Sequence, residues 1–246
     1  MLKIALALAL TFASTAAFAG DASTFMPLGF SKSGKYYAFA QTGQQDGSGF
    51  YYASVAVVDV AKDEFVASRT VVLQDDSDQI NGSIEIALNK ALSQVRLSRF
   101  GIKKGENLGE DLLIRLPTDH SPTNRSIFSY EYWAEGGATS FVPKFEVLVD
   151  SKDGEDTTEG KYCTDLTGKA PQMLKLSIKA LAEDDRRVVV LHEDKTLPRV
   201  RNCVSGYKVQ RVTAYADNLV IGLSYSGIGF EGPDVRQMVV TGKFTK

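Results

Sequence analysis

The sequence is poor in the side chains that most often carry chemistry, with only two cysteines and two histidines among 246 residues. Cys163 and Cys203 are too far apart for a Cys-x-x-Cys redox pair, and they lack the companions of a four-ligand zinc knuckle. Charge of one sign is also lacking. Lys plus Arg number 28 and Asp plus Glu number 30, for a net of −2 at pH 7. A balance of this kind offers no basic footprint for phosphate backbones, so nucleic acid is excluded as a partner. No Pro/Gly/Ser-rich linker divides the chain, and beyond the N-terminus no apolar run is long enough to cross a bilayer.

At the N-terminus the chain carries one positive charge at Lys3, an apolar run over 4–12, and small residues ending Ala17-Phe18-Ala19. This is the layout of a secretory signal peptide, with cleavage after Ala19 leaving Gly20 first, or a start at Asp21 as the near alternative. A membrane anchor would need about 20 predominantly apolar residues, which this run does not supply. No cysteine follows the cleavage site to accept a lipid. The expected organisation is a signal peptide at 1–19 and a single mainly-β domain at 20–246, periplasmic or secreted. In an oxidising compartment Cys163 and Cys203 are expected to form a disulfide, two separate buried thiols being the alternative. Closing a loop of about 40 residues stabilises a fold by about 4 kcal/mol in the chain-entropy estimate.

Short strands dominate the rest. Leu174, Leu176 and Ile178 alternate with Lys175, Ser177 and Lys179, and Phe145, Val147 and Val149 alternate with Lys144, Glu146 and Asp150. That period of two marks strands with one face buried. The more continuous apolar runs at 54–60, 188–191, 219–223 and 238–240 predict central strands covered on both faces. One segment has a helical period: Ile84, Leu88, Ala91, Leu92 and Val95 predict a helix over 83–99, with Asn81 or Ser83 as its cap and Gly101 as its stop. The acidic stretches 74–78 and 151–161 read as exposed loops, the second one mobile. A faint internal similarity aligns 30–43 with 214–227, matching turn residues and final glycines. Each copy is followed by a Gly-rich loop and another strand, which suggests two equivalent hairpins.

The run Phe30-Ser31-Lys32-Ser33-Gly34-Lys35, followed by 55–60, resembles a propeller blade of the periplasmic Tol-associated type, with Ser33 where that motif usually has an acid. More widely, the leader with its Gly-Phe-Ser start, the stretch 44–50 (Gln-Gln-Asp-Gly-Ser-Gly-Phe) and the stretch 224–234 (Ser-Tyr-Ser-Gly-Ile-Gly-Phe-Glu-Gly-Pro-Asp) are similar to a family of bacterial predicted secreted proteins of unknown function. That resemblance implies export and brings no catalytic residues with it.

Several motifs fall short of the chemistry they suggest. Gly227, Gly229 and Gly232 have dinucleotide spacing, but Pro233 leads into a strand-like run where the pyrophosphate needs a helix N-terminus. Gly222-Leu-Ser224 lacks the final glycine and the helix of a nucleophile elbow. His192-Glu193 begins like a zinc protease motif, but Thr196 stands where the second histidine belongs. His120, beside Asp119 and Ser121, lies in a Pro-flanked loop, and both histidines read as surface residues. Asp150, Asp153 and Asp156 lack the spacing of a calcium loop, so the metal question stays open and a solvated acidic loop is the expectation. Aromatics bunch at Tyr36-Tyr37, at Phe50-Tyr51-Tyr52 and at Tyr130-Glu-Tyr132-Trp133. Tyr130, Tyr132 and Trp133 are the candidate contact surface, while the other bunches also suit a strand core.

The expected fold is mainly β with one α-helix, a hairpin meander that is propeller-like, or alternatively a two-sheet β-sandwich. The expected function is a non-catalytic binding protein with an envelope protein or glycan as partner, no cofactor and no catalytic residue. The alternatives are an envelope hydrolase whose carboxylates meet only in the fold, and a structural envelope component.

Overall fold

A computed structural model describes residues 20–243 except 75–81, 117–118, 120–121, 123, 130–131, 134–139, 142–143, 155–157, 182–187, 198–200 and 202, with the backbone alone described at 132–133, 140–141 and 158–161. The leader, His120 and Tyr130 therefore lie outside the described residues. In chain order, β1 (Thr24–Phe30), β2 (Tyr36–Gln44), β3 (Tyr51–Asp59) and β4 (Glu64–Val72) precede helix α1 (Ile84–Val95) and a 3-10 turn, Leu97–Phe100. Then come β5 (Glu110–Ile114), β6 (Arg125–Ser129), the short pair β7 (Tyr132–Trp133) and β8 (Ser140–Phe141), β9 (Lys144–Asp153) and helix α2 (Thr158–Thr167). The chain closes with β10 (Gln172–Ala180), β11 (Val188–Glu193), β12 (Gly206–Tyr215), β13 (Asn218–Gly227) and β14 (Asp234–Lys243).

Three antiparallel four-stranded sheets result. Sheet 1 is the meander β1-β2-β3-β4, sheet 2 runs β14-β13-β12-β5, and sheet 3 runs β11-β10-β9-β6. They stack face to face. Phe30, Tyr37, Phe39, Val58 and Val60 of sheet 1 and its flanks pack on Val220 and Val239 of sheet 2. Val209, Ile221, Leu223 and Val240, from sheet 2, pack on Val147, Leu174 and Leu176 of sheet 3. Sheet 2 is thus the middle layer, which is why every residue from Asn218 to Tyr225 is buried and why 219–223 and 238–240 have no polar alternation.

The mainly-β meander is as expected, but the propeller-like arrangement is not. The outer face of sheet 1 is covered by α1, through Ala87, Leu88, Ala91 and Val95, and not by a further blade. The sandwich alternative describes the packing, extended from two sheets to three, and none closes into a barrel. A helix fills the space because the apolar stripe of α1 matches the small side chains Ala38, Ala40 and Ala53 beneath it.

Three further expectations need correction. The helix ends at Val95 and not at 99, because Arg96 turns left-handed at φ 55° and a 3-10 turn carries the chain to Gly101, which is the left-handed stop of that turn. Ser83 is the cap, its hydroxyl accepting from the Ile86 N–H at 3.2 Å. A second helix, α2, takes the end of the acidic stretch read as a loop, while residues 151–153 complete β9 opposite Gln172, Met173 and Leu174. Finally, 188–191 is not a central strand. β11 is the edge of sheet 3, with Val188 53% and Val190 47% exposed. A short apolar run does not distinguish a buried strand from an edge strand.

Cys163 of α2 is bonded to Cys203, which ties that helix to the segment entering β12. Replacing both cysteines with alanine is expected to cost about 4 kcal/mol in denaturant unfolding, and a reductant should bring the native chain to the same midpoint.

Candidate functional site

The two stretches that share the internal similarity, 30–43 and 214–227, each hold a turn and the strand after it, β2 and β13. With the strands that follow their Gly-rich loops they make the hairpins β2-β3 and β13-β14, which the fold lays against each other. At one end the Gly34 turn meets Asn218 so closely that a Cβ on Gly34 would sit 2.2 Å from Nδ2. At the other end the two Gly-rich connections meet. Asp46 Oδ2 accepts the Glu231 N–H at 2.8 Å, and a Cβ on Gly47 would lie 3.1 Å from the Phe230 ring.

Both loops are tied down from within. In the first, the Gln45 N–H donates to Phe50 O at 2.8 Å and Gln44 Nε2 donates to Gly49 O at 2.8 Å. In the second, Gly229 is so enclosed that a Cβ would fall 2.2 Å from Gly232 O and 2.3 Å from Asp234 Oδ1. The dinucleotide-like glycine spacing therefore reflects a tight β connection, and β14, not a helix, follows it. On this braced support Phe230 is 82% exposed and Ile228 42%.

The segment that holds Asp21 is clamped beneath the same end. The Arg236 guanidinium pairs with Asp21 at 2.7 Å and Asp234 at 2.9 Å, and it lies 5.0 Å from the centre of the Tyr52 ring. Tyr52 Oη donates to Asp21 Oδ1 at 3.1 Å. Burial raises the Asp21 carboxyl above the usual range, and the Arg236 and Tyr52 contacts offset only part of that. Burial likewise raises the Tyr52 hydroxyl well above its ordinary value.

A second ionic cluster pins the three sheets at the far end of β14. His192 on β11 holds Asp63, in the β3-β4 turn, at 2.6 Å through Nδ1 and Asp194 at 3.0 Å through Nε2. Asp63 also accepts the Thr241 N–H of β14 at 2.7 Å. Asp194 accepts both arms of Arg201, one of them at 2.7 Å, together with the Leu174 N–H at 2.7 Å. Arg201 in turn donates to Tyr207 Oη at 2.8 Å, which donates to Gln172 O at 2.9 Å. The hydrogen bonds to Asp194 and Asp63 raise His192 to about 9 despite its burial, so at neutral pH it is an imidazolium with both N–H groups engaged. Burial favours the neutral Asp194, but the bonds from His192, Arg201 and the Leu174 amide outweigh it and hold that carboxyl well below the usual range. His192 is therefore no free surface residue. Its two nitrogens brace sheets, leaving neither to act as a base or to bind a metal.

The bunches Tyr36-Tyr37 and Phe50-Tyr51-Tyr52 are mostly core: Tyr37 and Tyr52 are buried, and Tyr36 packs edge-on against Phe100 at 5.4 Å. Tyr132 and Trp133 form β7, paired with Phe141 and Ser140. Phe230, Arg236, Asp21 and Asp63 escape sequence reasoning. Phe230 follows no strand alternation, and the ionic partners are far apart in the chain.

Stacked antiparallel sheets, a disulfide and a braced loop end bearing exposed apolar side chains define a mainly-β, disulfide-bonded protein. The chain belongs to the family described as predicted secreted protein (DUF2259), which matches residues 38–243, a span that includes both Gly-rich loops and the His192 cluster. No curated protein and no solved structure matches it.

Proposed function

We propose that this is a non-catalytic binding protein, exported through a cleavable leader at 1–19 to the periplasm or the exterior, which grips an envelope protein or glycan with its two Gly-rich loops. The observation that carries the reading is Phe230, held 82% exposed on loops braced by Asp46, Gly229 and the Arg236 clamp. An exposed aromatic on a rigid support contributes contact area at little entropic cost. The aromatic segment Tyr130, Tyr132 and Trp133 is a second contact region in this reading.

A hydrolase that works through paired carboxylates, the alternative the sequence leaves, needs two acids of opposed pKa in one pocket. Here the raised Asp21 and the lowered Asp194 belong to clusters anchored at opposite ends of β14, on the order of 20 Å apart along an extended strand. That spacing favours binding over hydrolysis.

Phe230→Ser is expected to leave the unfolding midpoint unchanged within about 0.5 kcal/mol, since the ring is exposed. The same change should abolish retention of the envelope partner by the immobilised protein. A partner retained equally by both forms contradicts the reading, and so does the failure of both to retain anything from envelope protein and glycan fractions. The second result favours a purely structural role.

A further inference from the structure

We propose that the free edge of β4 is a second docking site, one that takes an extended acidic peptide of another polypeptide as a fifth strand of sheet 1. This goes beyond the loop-end reading and uses different residues. The long edges of the fold differ in how they are protected. On β14 the outward amides of Val235, Gln237 and Thr241 are taken by Asp21 O, Gln41 Oε1 and Asp63 Oδ1. β1 carries Pro27 and a bulge before Gly29, and residues 105–107 bond to its backbone at Leu28 and Phe30. Such devices are how proteins prevent strand addition.

β4 shares only the bulge, where its register with β3 shifts between Val57 and Val58. It is nine residues long, pairs among the described residues only with β3, and is exposed along most of its length, with Phe65 54% and Val66 44% exposed. The Leu73 N–H donates inward to Tyr51 O at 3.0 Å, so by strand alternation the amides of Ser68 and Thr70 point outward. Among the described residues neither has a partner. On the acceptor side the contact among the described residues is Arg69 Nη1 donating to Ser68 O at 2.7 Å.

Beside this edge runs a groove of about 200 Å³, walled by Val66, Ser68 and Arg69 on one side and by Gln94, Arg99 and Phe100 on the other. Its two charges are both guanidinium groups, and among the described residues no carboxylate pairs with either. Unpaired backbone provides affinity for an extended chain, and the two arginines select carboxylates among its alternate side chains.

The test is fluorescence anisotropy of two labelled peptides as long as β4, one alternating Glu with Val and the other Lys with Val, against the purified protein. The Glu peptide should bind saturably in the micromolar range and at least about tenfold more tightly than the Lys peptide. Ser68→Pro removes an outward amide, which an edge strand tolerates, and should weaken binding about tenfold or more. Arg69→Glu with Arg99→Glu should reverse the preference between the peptides. If Ser68→Pro does not fold, the charge-reversed variant decides alone. Phe230→Ser should bind the Glu peptide like the native chain, which separates this proposal from the loop-end reading. No saturable binding, equal binding of both peptides, or binding unchanged in the charge-reversed variant overturns it.

Discussion

Replacing Arg201 with methionine is expected to destabilise the protein by about 3–5 kcal/mol, the cost of leaving a buried carboxylate without its cation. Asp194 and Arg201 are both buried, with side chains 3% and 5% exposed. The guanidinium is bidentate on that carboxylate and also supports the Tyr207 hydroxyl, which bonds across to β10. Among the described residues His192 would remain as a cation beside Asp194, so the loss should lie at the low end of that range, about 3 kcal/mol. For a chain of this size the fall in Tm is roughly 10 °C, read by calorimetry. The double variant Arg201→Met with Asp194→Leu should lose less than the sum of the two single changes, because it leaves neither member of the pair buried without the other, while the Leu174 N–H and His192 Nε2 lose an acceptor in the double variant as they do in Asp194→Leu alone. Additive losses would mean that the pair is not coupled as its geometry requires.

Raising the pH from about 6.5 to 9.5 should remove about 3 kcal/mol of stability, with His192 as the cause. Its folded value is raised to about 9 from 6.5, so the folded state holds the proton more tightly than the unfolded chain. The sign follows from that difference. The contribution is complete below the unfolded value and is lost as pH rises through the folded one. The side chain is 23% exposed, which makes the figure an upper bound. Urea midpoints measured across this window should decline for the native chain and stay nearly level for His192→Gln. A flat native profile would show that the imidazole is not held between Asp63 and Asp194. The window must end below pH 10, where the buried tyrosines Tyr52 and Tyr207, whose hydroxyls burial raises, add a loss of their own.

Local order was the legible part of this sequence. The alternation at 145–149 and 174–178 became β9 and β10, the uniform apolarity of 219–223 marked the middle layer, and the stripe from Ile84 to Val95 became α1 with Ser83 as its cap. The arrangement of layers was not legible, because stacking depends on which faces meet, and periodicity reports only that a face is buried. α2 escaped notice because its residues, Thr158–Thr167, have little apolar stripe, and among its described side chains Cys163, which bonds it to Cys203, is the buried one.

The candidate site divides in the same way. The Gly-rich loops were visible as glycine clusters, and the likeness of 30–43 to 214–227 pointed to the two hairpins that the fold sets face to face. The Arg236 clamp and the His192 cluster were invisible, since Asp21 and Asp234, or Asp63 and His192, meet only across the fold. Their residue types, taken singly, read as solvated surface charges.

The most direct test of the central claim, that the Gly-rich loop end is where this protein meets its partner, is site-specific photo-crosslinking in intact cells. A photoreactive phenylalanine is placed at Phe230 and, separately, at the exposed Lys103. A discrete crosslinked envelope species is expected from position 230 and none from position 103. Crosslinks of equal yield from both positions, or none from position 230 while the protein is folded and exported, would contradict it.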